Sequence, residues 1–377
     1  MTPDNLPPPA NIPATLLTAL IRAEIEASPD RRLTFARYME LALNESRLGY
    51  YRQPADRPTD AGDFLTAPET HPIFGWTIAR RIEAMWEKLG RPMPFRLIEF
   101  GAGSGTLGLS ILDGLRRHGQ TDLLEAVRYT PVESNDYRQA DLLGRFEKAG
   151  LANLLLPAGP SNGAGIVLAN EYLDALPVHR VIVQGGELLE LYVVWRKETG
   201  GGFAEMMGAP STPDLAARFT ADGVVLSEGQ VAEICLCLDA WLREVATQLT
   251  RGFLLAIDYG FEAAELYGPR HFAGTLLGYR EHRVEVDLFA TPGETDLTAH
   301  VDFTAVTQAA AVLGFRPVSL TTQSEFLVAA DLEAELQALQ TSPDLTLADY
   351  TRARSAIIRL LDPRHLGGFR VLTLERG

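Results

Sequence analysis

The stretch from Arg96 to His118 limits what this chain can fold into more than any other. An apolar run, Arg96 to Phe100, leads straight into Gly101-Ala102-Gly103-Ser104-Gly105-Thr106, and apolar residues then recur at helical spacing from Leu107 to His118. A strand that turns on glycines into a helix opens a βαβ unit, and the turn brings backbone N–H groups to a helix N-terminus where a ligand can be held. Glycine suits that turn because it accepts positive φ and lets a ligand approach the backbone with no Cβ in the way. Further short apolar runs alternate with helical stretches: strands at Val127–Val132, Gly165–Leu168 and Phe253–Ile257, helices at Gln230–Leu249 and Asp302–Val312. Phe315–Leu320 and Phe369–Leu374 supply two last strands, with a helical insertion at Leu332–Leu361 between them. That alternation predicts a doubly wound α/β sheet over residues 95–377.

Val178–Val183 and Glu187–Trp195, joined across Gly185 and Gly186, read as an inserted hairpin (178–195), and Gly201–Pro213 reads as a loop. Residues 1–94 read as a helical cap and loop. Thr34 opens one helix carrying Phe35, Met39 and Ala42, and a second carries Ile78, Ile82, Met85, Trp86 and Leu89 before Gly90 and Pro92. Between them, Gly62–His71 belongs to a long connection and is expected to close over the site.

The 377 residues are 46% hydrophobic, enough for a large core, yet no apolar run approaches the roughly 20 residues of a membrane span. The N-terminus, with its proline cluster Pro7 to Pro9, shows neither a signal peptide nor a transit pattern, so the expectation is a cytoplasmic protein. A net charge of -15 opposes nucleic acid and favours a basic partner. Cys235 and Cys237, read as helical, are expected on different faces as reduced core thiols; no metal spacing is present.

Gly103, Gly105 and Gly108 also satisfy G-x-G-x-x-G, which makes a nicotinamide or flavin oxidoreductase a rival. Two carboxylates favour S-adenosylmethionine. Glu99, two before the first glycine, is placed to face the amino-acid end of that donor and would oppose a pyrophosphate. Glu133, at the end of the next strand, is placed to accept from two ribose hydroxyls. It stands 28 residues after Gly105, more than the roughly 20 of a dinucleotide site. The cofactor set is therefore Glu99, Gly101, Ala102, Gly103, Gly105, Thr106, Glu133 and Ser134, and the sheet that of a Rossmann-like class I methyltransferase.

Several separated motifs make the chain resemble the MidA-like methyltransferases from about Thr34 onward. They are Gly62-Asp63-Phe64-Leu65-Thr66-Ala67-Pro68-Glu69, Glu99 to Thr106, Asn170 to Pro177, Ile257-Asp258-Tyr259-Gly260, Gly274-Thr275-Leu276, Tyr279-Arg280-Glu281-His282 and Asp296 to Phe303. Trp76 departs from the family's usual acidic residue, and Leu277-Gly278 from its Arg-Cys. The resemblance implies a class I enzyme; mitochondrial members assist respiratory complex I assembly and are linked to protein arginine methylation. A protein substrate, such as a respiratory complex subunit, is thus an expected partner.

Asn170 to Pro177 falls where many amino-group methyltransferases carry Asn/Asp-Pro-Pro-aromatic, but Glu171 and Asp174 stand here instead of prolines. Two carboxylates suit a guanidinium, although Asp174 could equally cap the next turn. Asn170, Glu171, Asp174, Asp258 and His300 are the catalytic candidates, and His282 is a further loop histidine. A small-molecule methyltransferase would share every cofactor residue, and a non-catalytic assembly factor could keep the fold to bind a partner.

Overall fold

The computed structural model describes residues 12–53, 66–157, 163–197, 201–280, 283–341 and 346–377. The chain divides into two compact units that alternate along the sequence. One takes Ala55–Asp174, Leu238–Leu266 and His300–Gly377, the other Met1–Pro54, Ala175–Cys237 and Tyr267–Ala299.

The first unit carries a six-stranded sheet of β1 (Phe95–Phe100), β2 (Val127–Val132), β3 (Ala164–Asn170), β4 (Arg251–Asp258), β5 (Phe315–Thr322) and β6 (Arg370–Arg376), in the order β5-β6-β4-β3-β1-β2. Strands β1 to β4 are parallel, and β6 runs antiparallel to both β4 and β5. All six residues of β1 are buried, as a parallel strand covered on both faces requires. Beyond β2, Leu155 adds a single parallel bridge to Tyr129. The helices of this unit include α1 (Ala67–Thr70), α2 (Ile73–Lys88), α3 (Thr106–Arg117), α4 (Asp136–Lys148), α5 (Leu238–Gln248) and α6 (Phe303–Val312). Between α2 and α3 there is no room for a side chain at Gly114, whose Cβ would lie 2.8 Å from Trp76 Cα. Trp76, the departure noted above, donates from Nε1 to Asp113 Oδ2 at 2.8 Å and lies under the Arg117 guanidinium. The helical insertion between β5 and β6 is present as Gln323–Ala329, Leu332–Gln340 and Leu347–Leu361.

In the second unit, helices Ile12–Ala27 and Phe35–Asn44 accompany an antiparallel sheet. Its longest strand, Glu187–Arg196, pairs with Leu33–Thr34, His179–Gln184 and Gly202–Gly208, and Val231–Ile234 lies outside His179–Gln184. Phe35, Tyr38, Met39, Val178, Val193 and Leu297 fill its core.

One expectation stands and four change here. The hairpin expected at 178–195 forms within a segment, Ala175–Cys237, that interrupts the first unit along the sequence, and it is part of a five-stranded sheet. Gly202–Gly208, expected as loop, is a strand, because Glu187–Arg196 supplies the pairing that this glycine-flanked stretch does not advertise. The helix expected over 230–249 is a strand, Val231–Ile234, followed by α5; apolar Val231, Ala232 and Ile234 fit either period, and pairing with residues some fifty positions earlier decides between them. Cys235 and Cys237 therefore leave a strand instead of sharing a helix, and their sulfurs are 3.4 Å apart, not on opposite faces. The stretch expected as one cap, 1–94, is also split: its first two helices belong to the second unit, and α1 and α2 to the sheet.

Candidate active site

The glycine turn is closed by backbone bonds from Gly101 N to Val132 O at 2.9 Å and from Gly105 N to Ala102 O at 2.8 Å. Gly101, Gly103 and Gly105 take φ of 69, 54 and 77°, where a residue with a Cβ is disfavoured by about 1–2 kcal/mol. Their surroundings differ. A Cβ on Gly101 would lie 3.0 Å from Tyr172 Cδ2 and one on Gly105 2.8 Å from Leu142 Cγ, but one on Gly103 meets nothing within 4 Å among the described residues. Of these three glycines, Gly103 alone has open space beside its backbone. Gly108, the third glycine of the rival pattern, faces the protein, since its Cβ would stand 2.5 Å from the Tyr129 ring. Arg145 on α4 locks the turn from outside, donating to Ser104 O at 3.0 Å, Ser104 Oγ at 2.6 Å and Thr106 Oγ1 at 2.9 Å. Nothing in the local sequence marks that arginine, 39 residues from Thr106.

Two carboxylates flank the turn. Glu99 is buried beneath it and accepts from Tyr129 Oη at 2.7 Å. Burial raises its pKa to about 7 against the hydrogen bonds from Tyr129 and the Gly108 N–H, with the Glu133 charge adding to the rise. Its role in the protein as it stands is to tie β1 to β2 and α3. Glu133 bridges two turns, Oε2 accepting from Gly103 N at 2.8 Å and Oε1 from Asn135 N at 2.7 Å. Each oxygen keeps a further lone pair, so a diol can still donate to both. Ser134 follows, exposed, and Ala102 is buried. Two carboxyl groups at this turn, with Gly103 open, fit a sulfonium donor carrying a ribose and oppose a pyrophosphate.

The acceptor candidates gather at the neighbouring strand ends. Parallel register pairs Phe100 with Ala169 and Asn170 with Ile257, which brings the ends of β1, β3 and β4 to one edge. Glu171 has φ 49°, a conformation unusual for a residue with a Cβ. Its Oε1 accepts from Ala67 N at 3.0 Å and from Asn170 Nδ2 at 3.1 Å. Asn170 Oδ1 is buried with no partner among the described residues. Burial, with the charges of Asp174 and Glu69, outweighs these bonds and raises the Glu171 pKa to about 8.

Asp258 is fully buried, and its Oδ2 accepts from three successive backbone groups, Tyr172 N at 3.2 Å, Leu173 N at 2.9 Å and Asp174 N at 3.2 Å. Its Oδ1 takes Tyr259 N at 2.9 Å. Burial and the neighbouring Asp174 and Glu171 charges hold its pKa well above the ordinary value. It shapes the 171–174 turn from behind. Asp174 accepts from Tyr259 Oη, and the Tyr259 ring stands edge-on to His300, 5.3 Å between centroids. Tyr172 packs on Phe100 and Trp241, the last from α5. Sequence patterning signalled none of Tyr129, Tyr172, Tyr259 and Trp241 as site residues, although Tyr172 and Tyr259 lie inside the quoted motifs. His282 and Gly62 to Leu65 lie outside the described residues; Thr66 to His71 is held at Ala67 by Glu171.

A sheet in this order with its last strand antiparallel, and an open glycine between two strand-end carboxylates, define a class I methyltransferase. Residues 77–321 match the S-adenosyl-L-methionine-dependent methyltransferase family, and the chain belongs to it. A Burkholderia thailandensis protein solved bound to S-adenosyl-homocysteine is 31% identical, with a TM-score of 0.85 over 98% of this chain and 95% of that one. The mitochondrial protein arginine methyltransferase NDUFAF7 homolog of Drosophila melanogaster is 28% identical over 303 residues, 74% of this chain and 67% of its own length. NDUFAF7 of Danio rerio is 26% identical over 337 residues, 83% of this chain and 76% of its own. The protein is an S-adenosylmethionine-dependent methyltransferase. The expectation of a cytoplasmic protein is contradicted, because these relatives are named mitochondrial. It rested on missing a leader pattern in the first residues, and the absence of such a pattern does not fix a compartment. No described helix is long and apolar enough to cross a membrane.

Proposed function

We propose that the methyl group goes to an arginine side chain of a partner protein, held at Glu171 with Asn170 beside it. The observation that carries this reading is the Glu171 carboxyl, set by a left-handed backbone at the end of β3 and raised to about 8 next to further carboxyl groups. A carboxyl so placed gains most from a cation, and a guanidinium offers a fork of donors to it. The naming of the relatives as protein arginine methyltransferases and the net charge of -15 support the same acceptor.

S-adenosylmethionine supplies a methyl group on a sulfonium sulfur. Gly103 leaves the backbone open to it, and Glu133 offers oxygens to its ribose. Glu171 accepts donors from one side of the guanidinium and localises positive charge there, which frees the lone pair of the remaining nitrogen to attack. The proton released has Glu171 as acceptor, within the pH range where its raised affinity lets it titrate. Asp174, Asp258, Tyr259 and His300 hold the 171–174 turn in place.

The test is transfer of a labelled methyl group to candidate proteins, respiratory complex subunits first, with mass spectrometry of the modified residue. Glu171→Gln keeps the shape and removes the charge. Transfer is expected to fall steeply while donor affinity stays within twofold or so, on the order of 0.4 kcal/mol. Label on lysine, on a carboxylate or on a small molecule would overturn the acceptor and leave the reaction class standing.

A further inference from the structure

The connection between strand Val231–Ile234 and α5 holds a pair of thiols that the methyl-transfer chemistry does not use. The ladder to His179–Gln184 ends at Ile234, and α5 begins at Leu238, so Cys235, Leu236 and Cys237 occupy a non-helical bend. In a helix, side chains two apart point away from each other. In this bend they converge, with the sulfurs 3.4 Å apart and both residues partly exposed. The Cys237 thiol also reaches the Pro177 carbonyl at 3.7 Å. The second unit thus places two sulfurs nearly in contact, within reach of solvent, one peptide bond from a helix of the sheet.

We propose that Cys235 and Cys237 are a dithiol site for hydroperoxides, closing to an intramolecular disulfide that acts on α5. The Cys235 sulfur, hydrogen-bonded to Cys237, draws that thiol below its ordinary range against burial and the Glu40 charge, which favours Cys237 as the attacking thiolate. Cys237 thiolate sulfur attacks one peroxide oxygen; the S–O bond forms, the O–O bond breaks, and the other oxygen leaves after taking up a proton, as water from hydrogen peroxide or as the alcohol from an organic hydroperoxide. Cys235 sulfur then attacks the sulfenic sulfur, the S–S bond forms, the S–O bond breaks, and water leaves. Two thiols lose two electrons in all, one peroxide gains them, and a dithiol reductant reverses the change. A bridge across so short a loop gains little from chain entropy and is readily reduced, the property of a labile disulfide and not of a structural one.

The lever is covalent. Cys237 is bonded to Leu238, and three residues on, Trp241 packs against Tyr172 and Phe100 next to the glycine turn. Drawing the two sulfurs to bonding distance pulls on the first turn of α5.

The experiment treats the full chain with hydrogen peroxide, removes the excess with catalase, and then blocks free thiols with N-ethylmaleimide before mass spectrometry. The expected result is two maleimide adducts on the reduced chain and none after peroxide. The peptide carrying both cysteines should be lighter by two hydrogens, and dithiothreitol should restore both adducts. In Cys235→Ser, Cys237 should stop at a sulfenic acid that dimedone captures. Two adducts after peroxide, or oxygen added to either sulfur in the natural chain with no bridge, overturns the site. Hydrogen exchange of Leu238–Gln248 reads the lever without any acceptor: faster exchange in the bridged form, absent in Cys235→Ser treated alike, supports it, and identical exchange overturns it.

Discussion

Gly103 and Gly105 lie two residues apart, both with positive φ, yet alanine should do opposite things at the two positions. At Gly103 the added methyl meets no described protein atom within 4 Å. The folding cost is then the conformational one alone, about 1–2 kcal/mol, partly offset by about 0.5 kcal/mol from a less flexible unfolded chain. At Gly105 the methyl would stand 2.8 Å from Leu142 Cγ and 3.0 Å from Phe146 Cε2, so about 1–3 kcal/mol of overpacking adds to the same strain. Gly105→Ala is therefore expected to be the less stable variant by about 1–3 kcal/mol, read in denaturant melts of the free protein. Calorimetry with S-adenosylmethionine should rank them the other way for binding per folded molecule. Gly103→Ala loses at least about 1.4 kcal/mol, or tenfold, because its methyl fills the face a ligand needs, and Gly103→Val binds nothing measurable. Unchanged donor affinity in Gly103→Ala, or a larger folding loss there than at Gly105, would refute the assignment of Gly103 to the ligand and of Gly105 to the core.

Tyr129→Phe removes the hydroxyl that donates to buried Glu99 and should cost roughly 1–3 kcal/mol in chemical denaturation. If Glu171 must be ionised, kcat/KM should climb with pH up to about 8, and Glu171→Gln should lose that limb of the profile. His118 lies between Glu335, 2.8 Å from Nε2, and Glu83 on Nδ1. Burial opposes its charge, but the two carboxylates outweigh burial and raise the pKa from 6.5 to about 9. A folded pKa above the unfolded one means that the stabilisation is complete below pH 6.5 and lost as pH rises through about 9. Unfolding free energy should fall by about 3 kcal/mol across that window, and His118→Gln should flatten the fall.

The parts of this molecule that could be read from the chain are those whose cause is local. Strands β3 and β4 announce themselves because burial on both faces fills them with apolar residues, β1 because it leads straight into the glycine turn, and that turn because its conformation excludes most other residues. Gly202–Gly208 and Val231–Ile234 gave no such sign, since each is a strand only by virtue of a partner elsewhere in the second unit. The same division holds at the site. Glu171 could be singled out from its motif, but the turn that follows it is shaped by Asp258, which gathers the N–H groups of Tyr172 to Asp174 from more than eighty residues away. Asp258 was expected among the catalytic groups; its burial and four backbone partners give it the shape of the turn to maintain. Glu99 likewise meets Tyr129 only once β1 and β2 are side by side.

The place of β6 bears on how the protein comes into being at the ribosome. Arg370–Arg376 sits between β4 and β5, so an interior position of the sheet is filled by a stretch that leaves the exit tunnel after the other five strands of that sheet. Until then β4 presents the bare N–H and C=O groups from Gly252 to Asp258 along an apolar edge that any extended chain could occupy. A nascent chain of this kind calls for shielding during synthesis. A stalled or prematurely ended translation product would keep the glycine turn and β1 to β4 while remaining prone to edge-to-edge aggregation.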